Sequence, residues 1–275
     1  MPISRGNGCP IYYEVHGSGY PVLMITGMAS VVEWFHYNIP AFVDAGYQVI
    51  AQDLRGSNRP GIQPEGGEYS TYDMAMDSLR LMDELGIEKA HLVGLSMGGM
   101  MVQHLAIRHG ERVSRASIVG NGLARCPKEI AEAALTRNPA TDVGRMHARE
   151  NLTREEFRRN NIGVVFTPGF ETEKPEKFRF WWDNIPLPHP ETQAAQTVAA
   201  VRHDTLDELG SVSCPFQVLV GKLDAVNAAS APLMAERIRG CDFRVLEGMN
   251  HGLNLEHSEE YNRIVLDFLG APPGR

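Results

Sequence analysis

The feature that most constrains the fold is an alternation of two kinds of segment. Bare apolar runs, PVLMIT at 21–26, YQVIAQD at 47–53 and AHLVGL at 90–95, are separated by stretches of helical period. RASIVGN at 115–121, PFQVLVG at 215–221 and DFRVLEG at 242–248 continue the series. A strand with one wet face alternates apolar with polar residues, so runs without that alternation suit strands covered on both faces. Helices on either side of a sheet provide that cover, and a doubly wound, mostly parallel α/β domain is expected. The clearest helix, 71–85, starts after Ser70 and Thr71 and stops at Gly86. Others near 97–109, 228–239 and 258–269 stop at Gly110, Gly240 and Gly270, as helices do where the next residue can turn left-handed.

One region breaks the pattern. Residues 123–205 contain no convincing strand, several helix-like pieces and the aromatic stretch FRFWWDNIP at 178–186. Structureless loops longer than about 15 residues are uncommon, so the insertion is expected to be a helical lid. The core domain then comprises 1–122 and 206–275. A chain of 275 residues, 43% hydrophobic, has enough apolar mass for that core.

Net charge is −8, from 26 basic and 34 acidic residues, which argues against nucleic acid or an anionic membrane as partner, since both need a basic face. No window approaches the roughly 20 apolar residues of a membrane span, and the N-terminus has no signal-peptide core. A cytoplasmic protein, monomer or homodimer, is expected. Cys9, Cys126, Cys214 and Cys241 show no C-x-x-C spacing, so neither a zinc site nor a disulfide framework is suggested. Asn151-Leu152-Thr153 matches a glycosylation acceptor, but Thr153 with Glu156 also makes a helix capping box, and the cap is the preferred reading.

The chemistry centres on HLVGLSMGGM, residues 91–100. Gly94-Leu95-Ser96-Met97-Gly98 fits G-x-S-x-G with a strand before and a helix after, the context of a nucleophile elbow. The glycines permit a sharp turn that presents the Ser96 hydroxyl; the competing reading is a plain turn whose serine caps the helix. A serine hydroxyl needs a base to take its proton and a carboxylate to orient the base. Asp224, after the run 215–221, and His251, after 242–248, follow Ser96 in the order Ser, acid, His, each at a strand's carboxyl end, where ligands bind in open α/β sheets. His257 is the nearby rival to His251, and Asp204, Asp207 and Asp242 rival Asp224. The oxyanion formed on attack needs N–H donors. The amide of Met97 is one candidate, and that of Met28, after the turn at Gly27, is the other.

Taken together, these residues resemble an α/β-hydrolase over nearly the whole chain. IYYEVHGSGYPVLMITG, Asp53-Leu54-Arg55-Gly56 and GLSMGG are similar to the esterase, enol-lactonase and haloperoxidase branch. The resemblance implies an eight-stranded, mostly parallel sheet, a lid after the sixth strand, a Ser96, Asp224, His251 triad and no cofactor. Where that family has His-Gly at the oxyanion turn this chain has Thr26-Gly27, and D-x-R-G-x-G-x-S becomes DLRGSNRP, altering a rim that includes Pro60, Gly61, Pro64, Gly66 and Gly67. Asp53 and Arg55 are expected to be structural there.

Three functional readings stay open: hydrolysis of a carboxylic ester or lactone through an acyl-enzyme; carbon–carbon bond hydrolysis or cofactor-free perhydrolysis by the same triad; and a ligand-binding receptor with a vestigial triad. Gly27, Trp34, Phe170, Phe180, Trp181 and Trp182 are the candidate substrate-binding residues, and Phe166 and Phe178 belong to the same aromatic set. Lining a pocket, they favour a bulky apolar substrate; packed together, they form only the lid's own core. Adjacent on a helix, Trp181 and Trp182 point about 100° apart, so one at most faces a pocket. Arg125, Arg145, Arg158 and Arg179 are candidate partners for a substrate carboxylate.

Overall fold

The computed structural model describes residues 2–63, 67–121, 123–135 and 153–272. Pro64, Gly66, Arg145 and Asn151, named above, lie outside them. Eight strands form one sheet: β1 (Ile3–Ser4), β2 (Ile11–His16), β3 (Tyr20–Ile25), β4 (Tyr47–Gln52), β5 (Ala90–Leu95), β6 (Val113–Val119), β7 (Phe216–Gly221) and β8 (Asp242–Leu246). Their order is β1-β2-β4-β3-β5-β6-β7-β8. The pairs β1·β2 and β2·β4 are antiparallel and all others parallel. The six apolar runs are β3 to β8. Every residue of β5 and of β7 is buried, which is why neither shows polar alternation.

Successive side chains of a strand point to opposite faces, and the two cores divide accordingly. Leu23, Ile25, Leu92, Ile118 and Val218 lie on one face with Met74 and Met82 of α2 (Thr71–Glu84), Val102 and Leu105 of α3 (Met97–Arg108) and Met234 from a later helix. Val22, Met24, Val93, Val119 and Leu219 lie on the other, with Phe42 of α1 (Ile39–Asp44) and Tyr261 and Val265 near the C-terminus. The α2 helix begins as the sequence expects: the Ser70 hydroxyl accepts from the Asp73 amide and the Asp73 carboxylate accepts from the Ser70 amide. It ends before Gly86, at φ +67°.

Between β6 and β7 stand α4 (Lys128–Leu135), α5 (Arg154–Val165), α6 (Phe170–Glu173), α7 (Pro175–Asn184) and α8 (Pro190–Val201). Thr153 and Glu156 form the capping box of α5. No strand occurs there among the described residues, only the isolated bridge Arg125↔Asp204. After β7 come α9 (Ala225–Arg237), α10 (Leu253–Glu256) and α11 (Ser258–Leu269). No helix among the described residues is long and apolar enough to cross a membrane. All four cysteines are free thiols.

The root of the inserted segment is held by a buried polar chain. Arg108 Nη1 lies 2.9 Å from His104 Nδ1, while His104 Nε2 and His203 Nδ1 each lie 2.9 Å from Thr71 Oγ1. A guanidinium only donates, so His104 Nδ1 accepts and Nε2–H donates to Thr71. The single Thr71 hydroxyl proton then goes to His203 Nδ1, and His203 Nε2–H faces Gln103 Oε1 at 3.3 Å. Both rings are thus neutral, in defined tautomers.

Candidate active site

Ser96 joins β5 directly to α3 with φ 52° and ψ −118°, a left-handed conformation costly for a residue with a side chain. Close backbone approach explains the flanking glycines. A Cβ on Gly94 would lie 2.6 Å from the Gly98 carbonyl oxygen, and one on Gly98 2.3 Å from that of Ile25. The Ser96 amide donates to the Val119 carbonyl at 2.7 Å, pinning the turn to β6.

The three side chains singled out by order and strand position meet. His251 Nδ1 is 2.6 Å from Asp224 Oδ2, and His251 Nε2 is 3.0 Å from Ser96 Oγ. A carboxylate only accepts, so Nδ1–H donates to Asp224, and Nε2 is left to accept the Ser96 hydroxyl proton. Asp224 is 9% exposed. Asn227, in the first turn of α9, donates from Nδ2 to both Asp224 carboxylate oxygens at 3.0 and 2.9 Å. Gly120, at φ +58°, backs the histidine: a Cβ there would be 3.3 Å from Nδ1 and Cε1 of His251. The rival His257 lies at the start of α11, 3.1 Å from Lys174 Nζ.

Gly27 follows β3 beside the serine, where a Cβ would come 3.1 Å from Ser96 Cβ. The turn continues through Met28 and Ala29, the latter at φ +55°, and closes with the Ser30 amide donating to the Gly27 carbonyl at 3.2 Å. Met97 opens α3, and amides in a helix's first turn have no partner within the helix. Thr26 is fully buried, and its hydroxyl has no hydrogen-bond partner among the described residues. Asp53, also buried, accepts from the Val32 amide and Arg59, and Arg55 makes two 2.8 Å bonds to Asp77.

The inserted helices contact this site from two sides. On the histidine side, Gly252 N–H donates to the Val165 carbonyl at 2.7 Å and Asn250 Nδ2 to that of Phe166 at 2.9 Å. Thr167 donates from its amide and its hydroxyl to the buried Glu256 carboxylate. On the serine side, Gln196 and Thr192 of α8 bond the 27–30 turn and the 55–56 backbone.

The aromatic set packs largely on itself. Phe166, Phe170 and Trp181 are buried in one cluster with Val31, Ile185 and Leu255. Phe166 stacks on Phe170 at 4.1 Å and meets Trp181 edge-on at 5.1 Å. Trp34 stacks on Phe166, Phe180 on His36, and Trp182 packs beside Phe178. Phe170 and Trp181 are thus buried within this cluster, and Gly27 lies beside Ser96. Of the candidate cations, Arg125 pairs with Asp204 and Asp207, Arg158 is buried over the Trp181 and Trp182 rings, and Arg179 bonds the Pro175 carbonyl.

Sequence reasoning missed Asn227, Gly120 and Gln196. The first two had faint cues, an Asp-x-x-Asn start to a helix and a glycine just past a strand end; Gln196 had none.

The sequence profile of the α/β hydrolase fold matches residues 20–149. The chain is 39% identical to the 2-hydroxy-6-oxo-6-phenylhexa-2,4-dienoate hydrolase of Comamonas testosteroni, over 94% of this chain and 91% of that enzyme. Among solved structures it resembles a thermophilic esterase from Thermogutta terrifontis, with TM-score 0.83, 24% identity and coverage of 98% and 97% of the two chains. It also resembles the enol-lactonase from Burkholderia xenovorans LB400, with TM-score 0.81, 23% identity and coverage of 98% and 99%. At those identities the two structures speak to fold alone, but the Comamonas enzyme is similar enough in sequence to settle kinship. The chain therefore belongs to the α/β-hydrolase fold family, among hydrolases.

Proposed function

We propose that this hydrolase cleaves a carboxylic ester or lactone through an acyl-enzyme. The observation that carries the reading is the continuous hydrogen-bond path from Ser96 through His251 to Asp224. Ser96 Oγ attacks the carbonyl carbon as its proton passes to His251 Nε2, and Asp224 stabilises the imidazolium through Nδ1–H. The carbonyl oxygen becomes an oxyanion facing the Met28 and Met97 amides. Collapse breaks the bond to the leaving oxygen, which takes the proton from Nε2. Water, losing a proton to the same nitrogen, then attacks the acyl carbon, and collapse expels Ser96 Oγ, which takes the proton back from Nε2, releasing the carboxylic acid to ionise in solvent. Residues 123–205 act as the lid, and four free thiols fit a reducing compartment such as the cytoplasm.

A second reading is favoured by the name of the 39% identical relative, a hydrolase of a 2-hydroxy-6-oxo dienoate. In it the same side chains cleave a carbon–carbon bond next to a ketone. The test is a panel of p-nitrophenyl esters, lactones and that dienoate, with Ser96→Ala as blank. Ser96→Ala and His251→Ala should each abolish turnover, and the double variant should be little worse than either. If Ser96→Ala retained a tenth of the activity, the acyl-enzyme would be refuted. Failure of a fluorophosphonate to label Ser96 would favour the vestigial-triad receptor.

A further inference from the structure

We infer that Gln196, on the inserted helix α8, is a positioning residue for the oxyanion turn. The inference rests on the hydrolase reading above. Ala29 holds a left-handed backbone, φ +55°, without being glycine, at a cost of roughly 1–2 kcal/mol, so something outside the turn must hold it there. The Ala29 amide donates to Gln196 Oε1 at 2.8 Å, and Gln196 Nε2 donates to the Arg55 carbonyl at 3.0 Å. Gln196 is 1% exposed, so its carboxamide is a fixed strut between two backbone segments. The next residue, Thr197, gives its one hydroxyl proton to the Gln193 carbonyl at 2.8 Å, and the same oxygen packs against Met28 Sδ, 3.6 Å away. Two successive residues of α8 therefore meet two successive residues of the turn, Gln196 holding the backbone of Ala29 and Thr197 packing on the Met28 side chain.

The geometry ties this grip to the reacting centre. The peptide whose N–H belongs to Ala29 is the one that follows Met28, so fixing it fixes ψ of residue 28 and limits rotation of the Met28 amide on its other side. Gly27 abuts Ser96 Cβ, so a small rotation in the turn changes the donor's aim at an oxygen bound to that serine's adduct. Gln196 touches neither substrate nor the reacting atoms; it acts through Ala29.

The test is the rate at which a fluorophosphonate labels Ser96, because the phosphoryl oxygen occupies the oxyanion position whatever the natural substrate is. Gln196→Met keeps the length and loses both hydrogen bonds; it should slow labelling about 10- to 100-fold, within the range set by losing one oxyanion donor outright. Its kcat on any turned-over ester should fall in parallel, with KM within about twofold. Thr192→Val, which removes the neighbouring α8 bond to the Gly56 carbonyl, should lower Tm and leave labelling unchanged. Should Gln196→Met not fold, Gln196→Asn, one methylene too short to span both partners, takes its place with the same direction of effect. Labelling unchanged in the Met or Asn variant, or slowed equally by Thr192→Val, overturns the positioning role alone. A wild-type chain that is not labelled overturns the hydrolase reading and this inference with it.

Discussion

Lowering the pH from 7 to 5 should destabilise this protein by far more than its surface charges warrant, through imidazoles locked neutral in its interior. In the chain Arg108, His104, Thr71, His203, Gln103, protonating His104 at Nδ1 would set an N–H against the Arg108 guanidinium. Protonating His203 at Nδ1 would set one against the hydroxyl proton of Thr71. Burial comes first among the causes that push His104 down to about 4 and His203 down to about 3, with Arg108 repelling the charge on each; Asp73 attracts it on His104 too weakly to prevail. His91, buried between Tyr20 and Tyr47 with neither ring nitrogen bonded among the described residues, is likewise pushed down to about 4. An unfolded histidine titrates near about 6.5, so below that pH the unfolded chain binds protons the native one refuses. Stability therefore falls as pH drops from about 6.5 toward the folded values. For a folded value near 4, linkage gives about 2 kcal/mol per histidine between pH 7 and 5, a window in which most carboxylates stay ionised in both states. Urea unfolding at the two pH values measures the loss. His203→Gln, which keeps a donor and an acceptor but does not titrate, should recover about 2 kcal/mol of the difference. If that variant and His91→Leu both show the wild-type pH dependence, the neutral-imidazole argument is wrong.

Gly120→Ala should cost activity beyond its cost in stability. The left-handed backbone adds roughly 1–2 kcal/mol of strain, readable as a lower Tm, and the new methyl crowds the His251 ring, so kcat/KM should fall about tenfold or more. Loss of activity only in step with the unfolded fraction would refute the crowding. Asn227→Leu removes the amide that donates to both Asp224 oxygens and should lower kcat several-fold with KM nearly unchanged in steady-state kinetics. Trp181→Ala opens the aromatic cluster and should destabilise by about 3–5 kcal/mol in chemical denaturation. At temperatures where the variant is folded, it should leave the ratio of bulky to acetate ester kcat/KM unchanged, and a selective loss on bulky esters would return Trp181 to the pocket.

How much of this was legible in the sequence depends on whether a residue's role is declared by its neighbours along the chain. The central strands were legible because burial on both faces leaves an unbroken apolar run. The antiparallel β1 and β2 sit at the sheet's edge: β1 is two residues long and β2 carries Glu14 and His16, so neither makes such a run, and only family resemblance implied them. Ser96, Asp224 and His251 stood out because each follows a strand closely in sequence. The aromatic set could not be apportioned between pocket and core, since Trp181 and Phe170 are distinguished only by what faces them across the inserted segment. Gln196 is polar, mid-helix and unremarked by any motif; its meaning is set by Ala29 and Arg55, more than a hundred positions away.

The bonds from Val165, Phe166 and Thr167 to the histidine loop, and from α8 to the turn after β3, bear on how new substrate ranges arise in this architecture. A chimera that takes its insert from a relative and its sheet from this chain would inherit two seams, each carrying hydrogen bonds that involve backbone atoms of the loops around Ser96 and His251. Such a graft changes the catalytic frame along with the cover, and its kcat should drop even on substrates both parents accept. Seams transplanted together with their partners, Asn250 and Glu256 on one side and Ala29 and Arg55 on the other, would restore it. Exchange of segments that end short of the two seams is the route by which recombination can vary the cover and spare the frame.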